Sequence, residues 1–170
     1  MKKILDRFNS LNVAVIGDVM LDIFTYGISE RLSPEAPVPV IRIFKKEYCP
    51  GGAGNVAENL AALDVKCSLF GVVGADIDGE KLSSCFKSGN IGTYLFKDAS
   101  RPTTVKERFV ANQQQLLRVD AENTKKNRQQ YRKLFRGKHL KTYAARQVEC
   151  PHFLRLQKRC SLYSTRSETY

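Results

Sequence analysis

Tryptophan is absent from these 170 residues, methionine occurs twice, and there are two histidines, His139 and His152. Both histidines lie beyond residue 122, so the first 122 residues can use neither an imidazole base nor an imidazole metal ligand. Any chemistry there falls to Asp, Lys and Arg. Cysteine is sparse and unpatterned: Cys49, Cys67, Cys85, Cys150 and Cys160 form no CxxC or CxxH pair. An odd number without metal spacing argues against a disulfide framework and fits buried thiols in a reducing compartment. Long apolar runs are lacking too, and none approaches the length of a membrane span. The Met1-Lys2-Lys3 opening has the charge of a secretory leader, but Asp6, Arg7, Asn9, Ser10 and Asn12 interrupt it before an apolar region forms. A cytoplasmic protein with no membrane partner is expected.

Negative charge runs short at one end. Residues 1–122 hold fifteen Lys/Arg and fifteen Asp/Glu, whereas residues 123–170 hold thirteen Lys/Arg and only Glu149 and Glu168. The net charge of +11 therefore belongs to the last 48 residues. That segment contains no Ile, no Asp, one Val and one Gly, and its apolar residues keep neither a period of 2 nor one of 3.6. Two parts under different constraints follow: a neutral body, 1–122, and a basic tail, 123–170.

The body is patterned. Asn12–Ile16 is a short apolar run ending at Gly17-Asp18, as in a buried parallel strand whose carboxyl end faces a ligand crevice. Ile23–Tyr26 and Val38–Phe44 predict exposed strands or a hairpin, with Pro37 and Pro39 limiting them to a sheet edge, as a lid would be. Helical spacing covers Asn55–Leu63, and Cys67–Val73 is again a buried strand, ending in Gly74. A second helix is expected over Asp78–Phe86, capped by Asp78 with Gly89 beyond its end. Thr103–Val110 and Gln115–Asp120 are β-rich and separated by Ala111–Gln114, a hairpin. Strand, helix, strand, helix in that order implies a doubly wound α/β sheet.

One segment points to a ligand. Cys49-Pro-Gly-Gly-Ala-Gly-Asn-Val-Ala57 places a Gly-rich turn directly before an apolar helix, which lets backbone approach a small polar molecule, with the Asn55 amide at the helix start.

Five motifs occur in order: Gly17-Asp-Val-Met-Leu-Asp22, Arg31-Leu-Ser-Pro-Glu-Ala-Pro-Val-Pro-Val40, Pro50-Gly-Gly-Ala-Gly-Asn-Val-Ala57, Gly71-Val-Val-Gly-Ala-Asp76 and Asn112-Gln-Gln-Gln-Leu-Leu-Arg-Val-Asp120. With them the body resembles the ribokinase-like (PfkB) carbohydrate kinases, and among these the kinases of heptose 7-phosphate in ADP-heptose and lipopolysaccharide-core synthesis. The resemblance implies the amino-terminal part of a ribokinase-like doubly wound sheet with a small β lid. It also implies that Asp22 accepts hydrogen bonds from sugar hydroxyls, while Gly51, Gly52 and Asn55 complete the sugar pocket. A sugar phosphate needs cations as well, and Arg31, Lys106, Arg108 and Arg118 are the body's candidates on chemical grounds.

The complete enzymes of that family use ATP and Mg²⁺, with an Asp base in a late Gly-x-Gly-Asp loop whose amides form an anion hole. No Gly-x-Gly-Asp occurs in this sequence. The expectation is therefore a truncated kinase: weak binding of heptose 7-phosphate, no bound ATP or Mg²⁺, no catalytic residue and no phosphoryl transfer.

Two readings of the tail stand beside this. Lys125-Lys126-Asn127 allows a run of eight adenines, where a base is easily gained or lost. In addition, Arg155–Leu162 can be back-translated so that a neighbouring frame reads Asp-Tyr-Lys-Lys-Gly-Val, like a motif of the resembled kinases. Translation out of frame, with disorder, is the favoured reading. The other is a non-catalytic binding protein: Lys125–Arg128, Arg132-Lys133 and Arg136–Lys138, with Tyr131 and Phe135, would track nucleic acid, or the lid strands would form a homodimer. Nucleic acid is not the expected partner.

Overall fold

The computed structural model describes residues 8–86 and 89–123. The expectations for the basic tail lie outside the described residues. A short 3-10 turn, Phe8–Ser10, leads into β1 (Asn12–Ile16), β2 (Val19–Leu32), β3 (Pro39–Gly52), α1 (Ala53–Ala62), β4 (Lys66–Gly74), α2 (Ile77–Cys85), β5 (Ile91–Asp98), β6 (Val105–Ala111) and β7 (Gln114–Ala121). Two sheets result: a parallel one ordered β1-β4-β5, and a four-stranded one ordered β3-β2-β6-β7. The architecture is mixed α/β, as expected.

The parallel sheet follows from its sequence. β4 is apolar and buried along nearly its whole length, as befits a strand covered on both faces and flanked by β1 and β5. The core forms where this sheet, both helices and the roots of β2 and β6 meet: Leu69, Val73, Ala57, Ala61, Leu82, Leu21, Ile23 and Val105 are all buried there. On β2, odd positions from Val19 to Gly27 are buried and even ones half-exposed, so Met20, Asp22, Phe24 and Tyr26 share the face turned away from the core.

α1 ends in a Schellman pattern, with Val65 N–H donating to Leu60 O at 3.0 Å and Asp64 N–H to Ala61 O at 3.0 Å. Asp64 takes the left-handed position usual for glycine, at φ 58°. Asn112 and Gln113 turn β6 into β7 with φ 50° and 64°, the two-residue hairpin whose twist matches its strands.

Two expectations are corrected, and one strand lies outside them. β2 is not an edge strand: it lies between β3 and β6 and runs for 14 residues, because β6 returns parallel to it from Leu21↔Val105 to Gly27↔Ala111. Pro37 and Pro39 restrict only β3, which is the edge. The cap of α2 is Asp76 and not Asp78, since the Asp76 carboxylate accepts from Gly79 N–H at 2.8 Å. β5 was not foreseen; only Ile91 is buried on it, so its sequence carries no alternation.

The two sheets are joined closely. Gly17 and Asp18 alone separate β1 from β2, and β3 passes into α1 with no intervening residue. Ala53 N–H donates to Asp18 O at 2.9 Å, which ties these two crossings together. At the third crossing, between β5 and β6, Thr104 O accepts from Leu21 N–H at 2.9 Å. Among the described residues no helix is long and apolar enough to cross a membrane.

Candidate functional site

Strand register builds the site. Asp22 on β2 is paired with Cys49 on β3 and Lys106 on β6, Phe24 is paired with Arg108, and on β7 Asp120 and Arg118 stand opposite Lys106 and Arg108. Partners in register project to the same side. Four of the residues singled out in the sequence, Asp22, Lys106, Arg108 and Arg118, therefore share the outer face of the four-stranded sheet, and Gly51 joins them opposite Met20.

Asp22 is the centre of this face. Arg108 Nη1 donates to Asp22 Oδ1 at 2.6 Å, with both side chains about one-fifth exposed. The Arg108 guanidinium also lies over the Phe24 ring, 5.1 Å from its centroid. On the other side, a Cβ added to Gly51 would come within 2.6 Å of Asp22 Oδ2. Glycine is thus what lets the carboxylate lie against the turn.

Gly52 is required by conformation. It caps α1 with φ 57° and ψ −127°, and a Cβ there would meet Asp18 O at 2.4 Å. Its turn redirects β3 into α1 and leaves Asn55 exposed in the first turn of the helix.

The remaining cations are held by carboxylates. Asp120 Oδ2 lies 3.2 Å from Lys106 Nζ, and Asp120 Oδ1 lies 2.9 Å from Arg118 Nε, so one carboxylate bridges the two. Glu122 approaches Lys106 at 3.8 Å. Partial burial would raise the Asp120 carboxyl, but the hydrogen bonds and charges of Lys106 and Arg118 outweigh it and hold the group below the ordinary range. Arg118 and Arg108 stand directly opposite, a like-charge pair that the two aspartates neutralise. Asp120 and Phe24 were missed as site residues. Asp120 was legible, because Arg118 and Asp120 stand two apart on a strand and so share a face.

Arg31 stands apart. It is exposed near the far end of β2, nine residues from Asp22 and hence about 30 Å away along the strand. The Cys49 thiol, beside Asp22, is pushed up by burial and further by the charges of Glu47 and Asp22, so it stays protonated and poorly nucleophilic at neutral pH.

Behind the site, Asp76 fastens the end of β4. Its carboxylate accepts from Thr103 N–H at 2.7 Å, Thr103 Oγ1 at 2.6 Å and Gly79 N–H at 2.8 Å, while Thr103 Oγ1 accepts from Gly74 N–H at 2.9 Å. Burial would raise this carboxyl, but the bonds from Thr103 and Gly79 lower it overall.

The arrangement can bind a polyhydroxylated anion: a fixed carboxylate and backbone turn for hydroxyls, with cations alongside for negative charge. Among the described residues no three His, Cys, Asp or Glu side chains are grouped as metal ligands, and the sequence holds no Gly-x-Gly-Asp.

Comparison with known proteins identifies the family. The family model of the pfkB family carbohydrate kinases matches residues 10–160, beyond the boundary that charge places at residue 122. The chain is 48% identical over 117 residues to a D-beta-D-heptose 7-phosphate kinase of Bordetella bronchiseptica, covering 69% of this chain and 37% of that protein. It is 50% identical over 121 residues to the bifunctional protein HldE of Hyphomonas neptunium, covering 71% and 25%. The chain thus spans between a quarter and somewhat over a third of these relatives. Phosphofructokinase-2 of Escherichia coli, solved with fructose-6-phosphate, superposes with a TM-score of 0.56 at 21% identity, over 74% of this chain and 39% of that one. A carbohydrate kinase of Agrobacterium tumefaciens gives 0.54 at 16%, over 86% and 42%. At such identities the structures speak to fold alone.

Proposed function

Because the chain belongs to the pfkB family of carbohydrate kinases, we propose that its body is the sugar-binding part of a heptose 7-phosphate kinase serving ADP-heptose synthesis in the cytoplasm. The observation that carries this is the outer face of the four-stranded sheet, where the Asp22 carboxylate lies against the Gly51 turn and beside Arg108, with Lys106 and Arg118 next to it. Asp22, Gly51, Gly52 and Asn55 take the hydroxyls. Lys106 and Arg118, loosened from Asp120, take the 7-phosphate. The names of relatives about half identical in sequence supply the choice of heptose.

The family's complete enzymes use ATP and Mg²⁺ to phosphorylate the sugar, in this case at its anomeric hydroxyl. These 170 residues lack the Gly-x-Gly-Asp loop, so they bind the acceptor and do not transfer phosphate by themselves. Amide NMR titration with D-glycero-β-D-manno-heptose 7-phosphate tests the reading: shifts concentrated at Gly51, Gly52 and Asn55 support it, and no shift at saturating ligand refutes it. With ATP and Mg²⁺ added, no ADP above background is expected.

A second reading, self-association through the lid strands, has its own support. Leu116, Leu117 and Val119 on β7, and Ile43 and Phe44 on β3, are exposed apolar side chains. Among the described residues no third strand pairs with the β2–β3 ribbon beyond Gly27, and an isolated two-stranded ribbon is marginal in water. The mass in solution decides between monomer and dimer.

A further inference from the structure

The chemistry of sugar phosphates makes every arginine near the pocket a candidate phosphate ligand, but Arg108 is placed otherwise. We propose that Arg108 is a positioning residue, which fixes the Asp22 carboxylate for the sugar hydroxyls and does not itself receive the phosphate. The inference rests on the sugar-binding reading above.

Three features lead there. The guanidinium spends a short bond on Asp22, 2.6 Å from Nη1 to Oδ1, where both side chains are about four-fifths covered and solvent screens the pair only in part. It lies over the ring of Phe24, 5.1 Å from the centroid, and Phe24 is its register partner on the parallel strand β2. The other carboxylate oxygen, Oδ2, lies against Gly51, where no Cβ would fit. Asp22 is thus gripped through Oδ1 and bounded at Oδ2, a single rotamer that offers its remaining lone pairs to the turn where a sugar would lie. A carboxylate already oriented loses less freedom on binding a ligand.

Lys106 and Arg118 are differently placed. They share one carboxylate, Asp120, at 3.2 and 2.9 Å. That bridge resembles two oxygens of a phosphate, which could take its place. Displacing Asp22 from Arg108 would instead disturb the very group that recognises the hydroxyls.

The test compares free heptose with heptose 7-phosphate as ligands for the wild-type chain and for Arg108→Ala, Arg108→Lys, Asp22→Asn and the Arg108→Ala/Asp22→Asn double variant. Arg108→Ala should weaken both ligands by the same factor, on the order of tenfold, and add little in the Asp22→Asn background, because the two residues act as one unit. Arg108→Lys, which keeps the charge but not the planar fork or the stacking, should weaken both in the same way. If Arg108→Ala does not fold, Arg108→Lys carries the comparison.

The proposal is overturned if the arginine variants weaken only the phosphorylated ligand, or if the losses from Arg108→Ala and Asp22→Asn multiply. Binding of neither ligand to the wild-type chain would remove the sugar-binding reading itself, a result distinct from either pattern among the variants.

Discussion

Gly51 and Gly52 are neighbours in sequence, yet alanine at each should fail in a different way. At Gly52 the backbone has φ 57° and ψ −127°, a region nearly closed to L-residues, which costs about 1–3 kcal/mol. The new Cβ would also lie 2.4 Å from Asp18 O. That oxygen is backbone and is held by Ala53 N–H, so the overlap must be relieved by moving the strand, at roughly 1–3 kcal/mol more. Gly52→Ala should therefore lose about 2–6 kcal/mol of a total that for domains is about 5–15 kcal/mol. At Gly51 φ is not positive, and the atoms in the way, Asp22 Oδ2 and Met20 Cγ at 2.6 and 2.7 Å, belong to side chains and not to backbone, so the overlap is relieved by turning Asp22 out of its rotamer and not by moving a strand. Gly51→Ala should cost no more than about 1–2 kcal/mol of stability, while its turned Asp22 loses on the order of tenfold in affinity for heptose 7-phosphate. Urea unfolding followed by far-ultraviolet circular dichroism is the assay, since the sequence has no tryptophan to report. A Gly52→Ala protein as stable as wild type would refute the reasoning, as would a Gly51→Ala protein destabilised to the same degree.

Thr103→Val removes a buried hydroxyl that serves both Gly74 N–H and Asp76; it should cost about 1–3 kcal/mol in the same urea assay. The Asp76 carboxyl is lowered on folding, so its stabilisation is complete above the unfolded value of about 3.9 and is lost as pH falls through the lower folded value. Urea midpoints measured from pH 7 to pH 3 should accordingly fall at the acid end, and less steeply in Asp76→Asn. Asp120→Asn frees Lys106 and Arg118 of their shared counter-charge. Phosphate titration at low and high salt should show several-fold tighter binding and a steeper salt dependence; weaker binding would contradict the placement of the phosphate at these two cations.

Local patterns were legible where burial is strong. β1 has the expected bounds, α1 differs by a residue or two at each end, and β4 is buried throughout after Lys66. Signals failed where burial is slight or partners are distant. β5 has one buried residue, and the outer half of β2 is an exposed ribbon, so neither imposes a period on its sequence. At the start of α2, Asp76 and Asp78 stand two apart, and only the hydrogen bond to Gly79 shows which of them caps. The residues of the outer face were named from motif and charge, but their meeting depends on β6 returning parallel to β2, which brings Arg108 to Asp22 across 86 positions. No local pattern encodes that pairing, and so which carboxylate each cation meets was beyond the sequence.

The close joining of the two sheets bears on how the lid can move. Its two longest strands are not hung from slack loops: β2 begins two residues after β1, β3 continues into α1, and Ala53 N–H to Asp18 O bolts the two joints to each other. Bending must then occur within the strands, and both joints must turn together like two pins of one hinge. Gly52 is one of those pins, and Gly51 beside it touches Asp22. A molecule gripped at Asp22 would press directly on the axle of the lid, with leverage over the whole ribbon.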